Sequence, residues 1–81
     1  MNKDADQFTI VVSSDLNYEK MVVNLNFGND QVAVLNCDQG IGQVEVKLLD
    51  KYEDKAIWTF DCQSFIKALN LASEKLKQAN S

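Results

Sequence analysis

The chain has 81 residues, a formal net charge of −4, 46% hydrophobic and 25% charged residues, which is the make-up of one globular domain and too short for two. It contains no histidine and no proline, and its eight basic residues are all lysines. The commonest general base and transition-metal ligand is therefore absent, as is the bidentate arginine clamp for phosphate and carboxylate, and the acidic balance opposes non-specific nucleic-acid binding.

Residues 1–6 show no periodicity and are expected to form a flexible tail ahead of a single domain. Their polar, mixed-charge make-up lacks the features of a secretory signal, and no apolar run approaches the roughly 18 residues of a membrane span. A cytoplasmic chain with no membrane partner is expected. Cys37 and Cys62 are far apart in sequence and form no CxxC, so two packed thiols are expected rather than a disulfide.

From Gln7 the pattern alternates. Phe8, Ile10 and Val12 fall on one face of a first strand, which the turn-rich run Ser13-Ser14-Asp15-Leu16-Asn17 ends. The second strand alternates most clearly, with Met21, Val23, Leu25 and Phe27 opposite Lys20, Val22, Asn24 and Asn26. Gly28-Asn29-Asp30 tolerates positive φ and predicts a tight hairpin. The third strand runs from about Gln31 to Cys37 and is apolar on both faces. A loop, Asp38-Gln39-Gly40-Ile41-Gly42, leads to a fourth strand with Val44, Val46 and Leu48 inward. After the charged connection Asp50–Lys55, the run Ala56–Phe60 is expected to be a short fifth strand.

At Asp61 the period changes. Asp61 suits an N-cap, and Phe65, Leu69, Ala72 and Leu76 recur at helical spacing, with Ile66, Ala68 and Ala79 widening the stripe. The expected fold is α+β: an antiparallel β-meander of about five strands, followed by one C-terminal amphipathic helix packed on one sheet face.

One helix covers only part of such a sheet. Val11, Val22, Ala33, Leu35 and Leu49 are read onto the opposite face. Together with the loop tip Ile41 they form a candidate interface, most simply a homodimer packed sheet on sheet or through edge strands. The alternative is a curled sheet that buries both faces. A Leu35→Lys change separates the two, since it leaves a soluble monomer if Leu35 is an interface residue and unfolds the chain if it is core.

Each feature with chemical potential has a plainer reading. Gly40-Ile41-Gly42 precedes a strand rather than a helix and reads as a turn, not a phosphate cradle. Asp38, Asp50, Glu53 and Asp54 read as solvated loop charges that together would make an acidic partner face. Cys62 falls in the first turn of the expected helix, but no histidine is present to activate it. Trp58 and Phe60 share a strand face and read as core. With Cys37 and Tyr52 they are the candidate lining of a small-molecule pocket. No serine has a base partner, and no metal or cofactor is implied.

In size, shape and charge the expected domain resembles small bacterial immunity and antitoxin proteins, a likeness of architecture without a motif, so no residue roles are carried over. The expected function is a non-catalytic, self-associating protein-interaction domain. The alternative is a small-molecule binding module with a pocket between sheet and helix or at a dimer interface. An enzyme is the least favoured reading.

Overall fold

The computed structural model describes residues 7–49 and 59–81. The alternating segments form four strands, β1 (Phe8–Ser13), β2 (Val22–Phe27), β3 (Asp30–Asn36) and β4 (Glu45–Leu48), and the change of period at Asp61 opens one helix, α1 (Cys62–Ala79). The strands pair antiparallel in the order β1-β2-β3-β4. The fold is an α+β meander with a C-terminal helix.

The expectation of about five strands is corrected to four among the described residues. Thr59 and Phe60, the described part of the expected fifth strand, are not in a strand. Phe60 is instead taken into an aromatic cluster immediately before the helix cap. The tail 1–6, the charged connection and residues 56–58 lie outside the described residues.

The β2–β3 hairpin turns on two residues, Gly28 and Asn29, with Gly28 at φ 63°. A positive φ at the first turn position matches the twist of the flanking strands, and glycine adopts it without a Cβ penalty.

Cross-strand pairing sets the faces. Phe8, Ile10 and Val12 lie opposite Phe27, Leu25 and Val23, which in turn align Leu25 with Ala33 and Val23 with Leu35. Between Leu25 and Asn26 the register shifts, because Asn26 pairs with Gln31 and Val32 is left over as a bulge. A bulge breaks the strict in–out alternation, and both Val32 and Ala33 are buried in the same core cluster.

That cluster joins Val23, Leu25, Val32, Ala33, Leu35 and Cys37 to Ala68, Ala72 and Leu76 of α1. The helix meets β2, β1 and β3. Its deepest line is Ser64, Ala68, Ala72 and Leu76, flanked by half-buried Phe65 and Leu69. The buried stripe is thus rotated from the expected one. Small side chains occupy the line nearest the sheet, and Ile66 and Ala79 are exposed.

The face assignment of β3 is corrected as well. Ala33 and Leu35 belong to the helix-covered core, not to an open second face. The second face carries a polar row beside buried Val22 and Val34: the Asn24 side-chain amide donates to Ser13 Oγ at 2.9 Å, and Gln31 donates to Asn24 Oδ1 at 2.8 Å. Val22, also read onto that face, is fully buried, and Leu49 is half-buried.

Both helix ends are tied down. Asp61 is the N-cap, its carboxylate accepting from the Ser64 N–H and hydroxyl, both at 3.0 Å, which satisfies a first-turn donor without an intrahelical partner. At the other end Asn80 acts as a clamp. Its Oδ1 accepts from Met21 N–H at 3.0 Å, and its Nδ2 donates to Met21 O at 3.1 Å and to Leu76 O at 3.0 Å. A single amide thus closes the helix and fixes it to the start of β2. Asn80→Ala is expected to destabilise the chain by about 1–3 kcal/mol, because backbone groups of Met21 lose their partners in a part-buried position. Urea titration of the two proteins measures this, and an unchanged midpoint would contradict the clamp.

Candidate interaction site

Three features meet at one end of the sheet: the β1–β2 loop, the β3–β4 loop and the C-terminus of α1. The first loop is shaped by Asp15. Its carboxylate accepts from Asn17 N–H at 2.8 Å and its carbonyl from Tyr18 N–H at 3.0 Å. This Asx-type turn leaves Leu16 at its apex with 106% relative exposure. A leucine fully in water on a hydrogen-bonded turn gains nothing from the fold that holds it there.

The second loop consists of two successive turns, Gly40 N–H donating to Cys37 O and Gln43 N–H to Gly40 O, both at 2.9 Å. Gly40 sits at φ 134°, a backbone state that side-chain-bearing residues rarely adopt. Ile41 lies at the tip, exposed.

Asp38 locks the two loops together. Its two carboxylate oxygens accept from the N–H groups of Glu19 and Lys20, each at 3.1 Å, while its own N–H donates to the buried Asn36 side chain at 3.1 Å. The carboxylate that the sequence offers as part of an acidic partner face is therefore a structural tie between loops. Asp50, Glu53 and Asp54, its expected companions, lie outside the described residues.

Between the loops and the start of β4 lies an open cleft of about 550 Å³, lined mainly by Asn17, Tyr18, Asn36, Asp38, Glu45 and Lys47. Most of its lining residues are polar, with the apolar Val46 beside them, and Leu16 and Ile41 stand on the loops that bound it. A second, shallow groove of about 450 Å³ runs along the outer surface of α1, where Ile66 and Leu71 are exposed.

The structure disperses the expected pocket residues. Cys37 is fully buried, with its Sγ 3.4 Å from Asn80 Nδ2 at the C-terminal end of α1. Phe60 precedes the N-terminal end of the helix, against Phe8, Phe27 and Phe65. The 18-residue helix separates the two, a length of about 27 Å at 1.5 Å per residue, so one pocket does not hold both. Tyr52 and Trp58 lie outside the described residues. Cys62, expected to pack, is exposed at the first turn.

Of the expected interface residues, Val11 and Ile41 are exposed, at 41% and 39%. Leu16 is an addition that sequence reasoning passed over. The available signal was the pair Asp15 and Asn17, an Asx-turn pattern that raises the residue between them away from the sheet.

Neither a known family model, nor a curated protein, nor a solved structure matches this chain.

Proposed function

We propose that this domain works by binding another protein rather than by catalysis, and that it does so through the loop end of its sheet. One observation carries the reading: Leu16 is fully exposed on a turn held by Asp15, and that turn belongs to a loop fixed to its neighbour by Asp38. An apolar side chain on a preorganised support suits insertion into a partner's pocket, because little conformational freedom is lost on binding. Ile41, exposed on the loop that Asp38 ties to this one, offers a second apolar contact. The absence of histidine and arginine from the sequence favours binding over acid–base chemistry, and the net charge of −4 suits a basic partner.

The test compares the immobilised wild-type chain with a Leu16→Asp, Ile41→Asp double variant in an extract of the native host. Both positions are exposed, so the variant is expected to keep its melting behaviour to within about 0.5 kcal/mol. The expected result is one protein retained by the wild type and lost with the variant. Retention that ignores both substitutions would remove the loop end from the account.

The polar cleft supports a second reading, a small-molecule site at the same end of the sheet. A metabolite that binds it raises the melting temperature by mass action. This shift disappears with Lys47→Ala if the cleft is the site, since Lys47 is part of its lining.

A further inference from the structure

The outer edge of β1 has a property that the loop end lacks: it is complementary to itself. β1 is a terminal strand, paired with β2 alone among the described strands. Gly28 N–H donates to Gln7 O at 3.1 Å, which fixes the phase of the β1–β2 ladder. Antiparallel ladders alternate between bonded and non-bonded pairs, so Thr9, Val11 and Ser13 turn their backbone groups toward β2. Those of Phe8, Ile10 and Val12 turn to the outer edge.

We propose that a second copy of this chain pairs with that edge, β1 against β1, antiparallel about a two-fold axis through Ile10. In this register Phe8 faces Val12 of the partner copy, Ile10 faces Ile10, and Val12 faces Phe8. Every outward backbone group is then used, in three bonded pairs of two hydrogen bonds each.

The side chains fit the same register. Phe8, Ile10 and Val12 share the helix-side face, so each cross-strand pair there is apolar with apolar, the kind that stabilises sheets. Val12, 38% exposed in the single chain, gains Phe8 of the second copy as its cover. On the other face Thr9 meets Val11, itself 41% exposed.

Charge selects this edge and this occupant. The chain carries a net −4, so two copies repel unless they meet across an uncharged surface. β1 reads Phe-Thr-Ile-Val-Val-Ser, with no charge and no proline, the guards that normally keep an edge strand from pairing. The opposite terminal strand, β4, carries Glu45 and Lys47. The axis stands perpendicular to the sheet, so both helices lie on one side of a continuous eight-stranded sheet. The loop ends remain open, so the pairing is independent of partner binding there.

The experiment is light scattering over a dilution series, on the wild type and on two double variants at exposed positions of the face away from the helix. Thr9→Lys with Val11→Lys sets like charges directly opposite one another at two symmetry-related places. Thr9→Glu with Val11→Lys sets opposite charges there. The expected result is a wild-type dimer, a dissociation constant weakened at least ~tenfold in the Lys/Lys variant, and dimerisation retained in the Glu/Lys variant. Circular dichroism checks that both variants are folded. Site-resolved hydrogen exchange on the wild type is expected to show the amides of Phe8, Ile10 and Val12 gaining protection as concentration rises. A wild-type chain that is monomeric at every concentration overturns the proposal. So does a Lys/Lys variant as dimeric as the wild type, a Glu/Lys variant as weak as the Lys/Lys one, or a dimer in which those three amides exchange as fast as in the monomer.

Discussion

Leu35→Lys is expected to unfold the chain. Leu35 is 2% exposed, pairs with Val23 across β2 and sits in the cluster that holds α1 to the sheet. Replacing it removes the transfer energy of a buried leucine, about 1.5–3 kcal/mol. It also forces an ammonium group into apolar surroundings, where a charge without a partner is penalised by several kcal/mol more. A chain of this size has a total stability of about 4–12 kcal/mol on the usual per-residue scale, and the combined penalty takes up a large share or all of it. Far-UV circular dichroism and amide dispersion in a proton–nitrogen spectrum would show the loss. A folded, monomeric Leu35→Lys protein would return this residue to a surface and overturn the face assignment of β3.

Phe8→Ala is expected to be the next most damaging change, at about 3–4 kcal/mol. All four phenylalanines of the chain gather at the end of the sheet opposite the loops. Phe8 lies 5.0 Å from Phe27, 5.0 Å from Phe60 and 6.0 Å from Phe65, ring centre to ring centre. The first two contacts are edge-to-face, the arrangement that a ring quadrupole favours. The cluster joins the start of β1, the end of β2 and the first turn of α1, and it anchors the N-terminal end of the helix as Asn80 anchors the other. Truncating Phe8 leaves three rings facing a void. Phe8→Leu, which keeps most of the volume, is expected to lose less than half as much. Urea denaturation of the three proteins measures this series. Equal stability of the wild type and Phe8→Ala would mean that the ring cluster does not hold the helix.

The strands, the hairpin glycine and the helix cap were legible because each is written locally. Alternation from Met21 to Phe27, Gly28 at a two-residue turn and Asp61 before a change of period all depend on near neighbours. The pairing of faces was not legible, because a shift of one residue exchanges them and β3 is apolar on both sides. The bulge at Val32 is invisible in a pattern of alternation, since it interrupts that pattern inside an apolar run. The rotation of the helix toward Ser64 was missed because hydropathy ranks large apolar residues as the core. Small ones mark the line where helix and sheet lie closest.

The candidate site was harder to read for the same reason. Asp38 has the composition of a solvated loop acid, and only the fold brings it to the amides of Glu19 and Lys20. Leu16 stands in a polar, turn-rich run where a single apolar residue carries no periodic signal. Its importance comes from the turn geometry that exposes it.

The measurement that tests the binding account most directly is photo-crosslinking in the native host, from a photoreactive residue placed in turn at positions 16, 41 and 63. Positions 16 and 41 mark the two loop tips, and Gln63 lies on the outer surface of the helix. The account predicts one common protein adduct from positions 16 and 41 and none from position 63. No adduct from either loop tip, or the same adduct from all three positions, would contradict it.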